Sequence, residues 1–203
     1  MKDNDVKNID FLWYLFLNGD DKVFSAIYHH YIDRLLSYGY KLCPDKDLVH
    51  DSIQEIFLNL FLKRKKAGKK IENIKAYLFV AFRNGLVKKI KKQRKYESVN
   101  LSEDGESQYF DNDYNIQNQL IELEISNEIK EKLSIAINNL PSKQKEIIYL
   151  KFEEELEYAE ISAIMKISVE SSRKLLYRAL LSLRKILDPN TVEVLFLMLF
   201  KKS

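Results

Sequence analysis

Three groups of residues in this sequence could do chemistry, and in each the chemistry is binding. The first is a basic block. Between Lys63 and Lys95 stand fourteen Lys/Arg against one acid, Glu72. Such a density of cations suits a polyanion, although a lysine-rich solvated helix face is the plainer reading. The second lies in EYAEISAIMKISVESSRKLLYRALLSLRKIL, residues 157–187. Its second half carries Ser171, Arg173, Lys174, Tyr177 and Arg178, which offer donors for base edges and cations for phosphates. An ordinary basic helical hairpin is the alternative. The third is Asp51, Gln54, Glu55 and Leu58, spaced three and four apart and so on one helix face. An apolar Leu58 among polar neighbours favours a partner surface over a merely solvated one.

Groups that catalysis needs are missing from the pattern. His29, His30 and His50 lack metal-ligand partners at a recognisable spacing. The chain shows no phosphate-binding glycine loop, no HExxH and no nucleophile–base pair. The expectation is a non-enzyme with no cofactor, no metal and no small-molecule substrate. Cys43 is the single cysteine, so an internal disulfide is impossible and a reduced, cytoplasmic setting is expected. The opening MKDNDVKNID lacks the apolar core of a signal peptide. No apolar run approaches the ~20 residues of a membrane span.

These groups need rigid elements to position them, and the composition predicts helices. The 203 residues include 5 Gly and 3 Pro, too few for many strands joined by tight turns. At 46% hydrophobic residues the chain can bury a core. An apolar segment over 9–18 stops at Gly19-Asp20-Asp21. A helix follows from Asp21 with Phe24, Ile27, Tyr28, Tyr31, Leu35 and Tyr38 at helical spacing. Pro44-Asp45 ends it, and the next helix, 47–65, carries a core stripe of Val49, Ile53, Ile56, Phe57, Leu60 and Phe61. A further helix over 73–94 takes its apolar positions from Tyr77, Leu78, Ala81, Leu86, Val87 and Ile90.

From Glu97 to Ile129 the chain holds nine Asp/Glu and no Lys/Arg. Its first part, 97–118, lacks sustained periodicity and reads as a linker. A long helix is expected from Gln119 to Asn138, bounded by Pro141. Helical pieces follow at 142–151, 155–165, 169–187 and 191–201. Within the hairpin, Met165-Lys166-Ile167-Ser168 forms the turn, with Ser168 as N-cap and Glu170 near the positive helix end. Ile161 and Ile164 face Leu176, Ala179 and Leu180.

Taken in order, these segments resemble the sigma-70 family, in its small extracytoplasmic-function (ECF) type. The resemblance covers roughly 20–95 and 128–187. It rests on FSAIYHHY (24–31), DSIQEIF (51–57), NIKAYLFVAFRN (73–84), LPSKQKEIIYLKF (140–152) and EISAIMKISVESSRKLLYRALLSLR (160–184). It implies an all-α fold of two helical domains: a region 2-like domain over 1–96, an acidic linker over 97–127, and a region 4-like helix-turn-helix domain over 128–188. Outside the resemblance, an apolar tail helix is expected over 189–203.

The implied function is to bind core RNA polymerase and direct initiation at promoters with −10 and −35 elements. Asp51, Gln54, Glu55 and Leu58 would dock on the β′ clamp helices, with the β flap as a further contact. Lys66, Lys69, Lys70 and Asn73 would line a pocket for a flipped −10 base. Lys75, Arg83, Asn84, Lys88, Lys91 and Lys92 would hold the strand or the upstream duplex. Of the nearby aromatics Tyr77 and Phe79, core packing is expected of at least one. Ser171, Arg173, Lys174, Tyr177 and Arg178 would read the −35 element. The acidic linker would thread the polymerase's positively charged channel, and an anti-sigma factor is an expected partner.

Two positions depart from the family pattern. Lys166 stands where the turn usually has Gly, so a left-handed backbone there would cost about 1 kcal/mol. Ser172 replaces the usual apolar residue and loses a core contact. The tail TVEVLFLMLF (191–200) is too short for a bilayer; packing on the C-terminal domain is the favoured expectation, with docking of an anti-sigma factor or contact with a membrane surface as the alternatives. The competing function is a stand-alone helix-turn-helix regulator that binds operator DNA without polymerase. A third is an interaction protein that has lost DNA reading.

Overall fold

The computed structural model describes residues 2–64, 71, 73–96, 110, 127–187 and 189. No strand occurs among them. The chain divides into two units, Met1–Val99 and Asn100–Ser203.

In the N-terminal unit, α1 spans Lys2–Leu17, α2 Phe24–Leu42, α3 Lys46–Leu62 and α4 Ile74–Tyr96. Local chemistry sets their ends. Gly19, at φ +107°, turns the chain after α1. Asp20 caps a short 3-10 turn over Asp21–Val23 by accepting from the Lys22 N–H. This turn, and not α2 itself, occupies the expected helix start at Asp21. Asp45 caps α3 by accepting from the Leu48 N–H at 3.0 Å, which is why Pro44-Asp45 both ends one helix and starts the next. Asn73 does the same for α4, accepting from the Ala76 N–H at 3.1 Å.

The core of this unit is aromatic. Phe16, Phe24 and Phe61 meet in a chain of rings, Phe16–Phe24 at 4.9 Å and Phe24–Phe61 at 5.1 Å. Tyr28 meets Phe57 edge-on at 4.8 Å. Phe16 and Phe57 are buried, and each ring so removed from water stabilises the fold by roughly 1.5–3 kcal/mol, whereas Phe24 and Tyr28 are half-buried. The α3 stripe is buried as its spacing predicts, except that Phe61 stays partly exposed at the helix end. On α4 the buried set is wider than the apolar spacing suggests: Ile74, Phe79 and Phe82 join Leu78, Leu86, Val87 and Ile90, while Tyr77 and Ala81 are half-buried. Phe79 is the aromatic that packs in the core.

Gly39, inside α2, permits a close approach of helices. A Cβ there would lie 2.6 Å from Val49 Cγ1 and 2.7 Å from Phe82 Cζ. The missing side chain lets α2 press against α3 and α4 together.

In the C-terminal unit, α5 spans Asn127–Asn138, α6 Ser142–Ile148, α7 Tyr158–Met165 and α8 Val169–Ile186. Pro141 starts α6, its carbonyl accepting from the Gln144 N–H at 2.8 Å. The helix then widens over Tyr149–Glu153, where the Glu154 N–H reaches back to the Tyr149 carbonyl at 3.1 Å. The buried Tyr149 hydroxyl donates to Glu154 Oε1 at 3.1 Å, which holds the end of this wide turn against the core. Leu140, Ile147, Leu156, Ile161, Ile164, Leu176, Ala179 and Leu183 form the apolar centre.

Phe110 belongs to this core as well. It lies within the stretch expected as linker, yet it is 1% exposed and its ring meets that of Tyr149 at 5.7 Å, tilted by 55°. The other linker residues from 97 to 126, including the first part of the helix expected from Gln119, lie outside the described residues, as does the tail at 191–201.

Candidate docking and nucleic-acid surfaces

On α3, the helix period leaves one polar face outside. Asp51, Gln54, Glu55 and Leu58 are all exposed, while Ser52, Ile53, Ile56 and Phe57 between them are buried. Leu58, at 59% exposure, presents an isobutyl group to solvent among carboxylates and an amide. That arrangement matches a protein-docking surface: the apolar group supplies area and the charges supply register. Beside this face, Lys89 of α4 reaches across to Glu55, Nζ to Oε2 at 3.0 Å.

The basic block resolves into three environments. Lys88, Lys91 and Lys92 stand exposed on the outer side of α4. Asn73, Lys75 and Asn84 sit nearer the body: Asn73 is exposed but uses its side-chain oxygen as the helix cap, and Lys75 and Asn84 are half-buried. Asn84 Oδ1 is buried and without a hydrogen-bond partner. Arg83 is only 7% exposed, because its position on α4 falls beside Phe79, Phe82 and Leu86 on the inward face. Lys66, Lys69 and Lys70 lie outside the described residues.

One cation of the block acts in a way its sequence position does not announce. Arg64 forms an ion pair with Asp21, and its guanidinium lies 5.3 Å from the centre of the Phe16 ring. It thereby joins the end of α3 to α1 and to the turn before α2. The partners are 43 residues apart in sequence for the ion pair, so no local pattern could reveal them.

In the C-terminal unit, α7 and α8 pack through Ile161, Ile164, Leu176 and Ala179 as the helical spacing predicts, while Leu180, expected on the same face, is only half-buried. Lys166 takes the left-handed conformation at the turn, φ 54° and ψ 46°, where the family pattern favours Gly. Ser168 caps α8, accepting from the Ser171 N–H at 3.0 Å. Ser172 is fully buried and turns its hydroxyl to the Val169 carbonyl at 2.7 Å, which satisfies the polar group but adds no apolar contact.

The five residues expected to read DNA are all exposed on α8. They are not equally available. Arg173 stacks on Tyr158 of α7, 5.4 Å from guanidinium carbon to ring centre, and Lys151 approaches the same ring at 5.1 Å. Lys174 pairs with Glu170 one turn earlier at 2.6 Å. The Ser171 hydroxyl meets that of Ser168 at 2.8 Å. Tyr177, 64% exposed, and Arg178 project from the same helix. Arg184 and Lys185 extend this cationic surface to the last turn of α8.

Among the described residues, no cluster of ligands could hold a metal ion, and no helix is long and apolar enough to cross a membrane.

Two compact helical units, one with an exposed polar face beside a cationic helix, the other with a capped helix-turn-helix, fit the class of helical DNA-binding transcription proteins. Comparison with known proteins identifies that class. Residues 27–96 match the model of Sigma-70 region 2, and residues 130–183 match that of Sigma-70, region 4. The ECF RNA polymerase sigma factor SigM of Bacillus subtilis (strain 168) is 28% identical over 155 residues, covering 76% of this chain and 89% of that protein. Two solved structures share the fold. The sigma factor RpoE in complex with the anti-sigma factor NepR from Bartonella quintana has a TM-score of 0.54 at 19% identity, covering 81% of this chain and 96% of RpoE. CnrH in complex with the cytosolic domain of CnrY has a TM-score of 0.51 at 14% identity, covering 86% of this chain and 94% of CnrH.

The chain belongs to the sigma-70 family, in its ECF type. It binds core RNA polymerase and directs promoter-specific initiation. The alternative of a stand-alone operator-binding regulator gives way, because a region 2 module has no part in that function.

Proposed function

We propose that the N-terminal unit docks on the β′ clamp helices of polymerase through Asp51, Gln54, Glu55 and Leu58, while α4 faces the −10 element. Lys88, Lys91 and Lys92 hold phosphates there. Lys75, Arg83, Asn84 and Asn73 lie closer to the strand, and Lys66, Lys69 and Lys70 complete a base pocket. The C-terminal unit reads the −35 element with Ser171, Arg173, Lys174, Tyr177 and Arg178, and takes the β flap as its polymerase contact. The domain limits follow this division: 1–96 for region 2, 97–127 for the acidic linker in the polymerase channel, 128–188 for region 4, and 189–203 for the apolar tail. The protein works in the cytoplasm, has no catalytic activity of its own, and is held in check by an anti-sigma factor.

One observation carries the docking assignment: an exposed leucine ringed by exposed acids and an amide, on the helix packed directly against the cationic α4. The test is charge reversal, Asp51→Lys alone and with Glu55→Lys. Both side chains are exposed, so the fold should survive, as a thermal melt would show. Core-polymerase affinity should fall at least tenfold in the double variant, since rim and centre charges of an interface are lost together. Unchanged core affinity would overturn the assignment.

A further inference from the structure

The ion pair between Lys89 and Glu55 joins two surfaces that are proposed to bind different partners. Glu55 belongs to the docking face of α3, and its side chain is 58% exposed. Lys89 belongs to α4, one residue from Lys88 and within a turn of Lys91 and Lys92, and its side chain is 31% exposed. The more sheltered partner is therefore the cation. It is drawn inward over an open groove of about 250 Å³ between the two helices, bordered by Glu55, Asn59, Tyr77 and Gly85. Gly85 lies one turn before Lys89, and a Cβ there would meet nothing within 4 Å. The groove is open to solvent and the Lys89 side chain is already partly exposed, so it has room to leave the groove.

Ion pairs this exposed are weak and exchange readily for a better-placed cation. A flexible ammonium on a four-carbon stem is suited to such exchange. A second cation arriving at Glu55 would share one negative charge with Lys89 and repel it at short range.

We infer that Lys89 is an internal stand-in for a cationic side chain of polymerase. In the free protein it occupies Glu55. When polymerase docks, a cation of the partner takes the carboxylate, and Lys89 swings out to join Lys88, Lys91 and Lys92 on the DNA phosphates. Docking thereby adds one positive charge to the DNA-facing side of α4, and the two binding events favour each other reciprocally. The inference rests on the assignment of Glu55 to the docking face.

The experiment uses the full chain with core polymerase and compares wild type, Lys89→Met and Lys89→Arg. Methionine keeps much of the stem and removes the charge; arginine keeps the charge and controls for folding. Lys89→Met should bind core polymerase about two- to fivefold more tightly, the range expected when an exposed ion pair no longer competes. Its holoenzyme, titrated onto a short duplex of mixed sequence, should show a log-affinity against log-salt slope lower by about one, for the lost phosphate contact. Lys89→Arg should keep the wild-type slope. Equal or weaker core binding by Lys89→Met, or an unchanged slope, would overturn the exchange. Asp51→Lys, which leaves the pair intact, separates the two failures. If it does not weaken core binding, the docking assignment has failed; if it does and Lys89→Met does not tighten binding, only the exchange has failed.

Discussion

Arg173 rests its guanidinium over the ring of Tyr158, clasping α8 to the helix before it. The stack limits the rotamers of a long side chain, so the proposed −35 contact by Arg173 would lose less freedom on forming. Replacing Arg173 with Ala should cost about 1–3 kcal/mol of −35 discrimination, seen as relaxed preference at one promoter position in run-off transcription. Replacing Tyr158 with Leu should cost less, about 0.5–1 kcal/mol, by releasing the arginine without removing it. Equal losses on every promoter, whatever its −35 sequence, would make Arg173 a phosphate contact.

Gly39 should not tolerate even a methyl group. Alanine would gain about 1 kcal/mol of helix propensity. The added carbon would meet Val49 and Phe82, both wholly buried and with nowhere to retreat. Overpacking of this kind costs about 1–3 kcal/mol, so Gly39→Ala should lower the urea midpoint of the N-terminal unit. A raised midpoint would mean that the helices separate at little cost.

Lys166 is strained in the opposite sense. It is exposed, so its side chain contributes no packing, yet its backbone is left-handed. Lys166→Gly should stabilise the C-terminal unit by about 0.5–1 kcal/mol in thermal denaturation. No gain would show that the turn relaxes to another conformation in solution.

Phe110 tests how far the acidic segment is anchored. Its ring is buried against Tyr149. Phe110→Ala should therefore destabilise the C-terminal unit by about 3 kcal/mol, a loss unexpected of a free linker residue. Scanning calorimetry would decide, and an unshifted transition would detach the segment from the fold.

Much of the fold was written locally. Asp45, Asn73 and Ser168 mark helix starts because a short polar side chain reaches the N–H groups two or three residues on, an interaction that needs no tertiary partner. The exposed face of α3 followed from a 3.6-residue period, and so did the packing of Ile161 and Ile164 on Leu176 and Ala179. Motif order along the chain then sufficed to place it in a family.

What the sequence could not determine are the pairings that depend on how helices cross. Arginine is normally a surface residue, and only the packing of α4 placed Arg83 inside. Arg64 with Asp21, Lys89 with Glu55, Arg173 with Tyr158 and Phe110 with Tyr149 join residues that no short period relates. The physical reason is range: caps, turns and periodicity act over a few residues of backbone, whereas a side-chain pair across two helices exists only once their axes are fixed. The sequence alone therefore established a two-domain sigma factor and its candidate surfaces. Tertiary structure decided which of those side chains stand ready for a partner and which are already engaged within the protein.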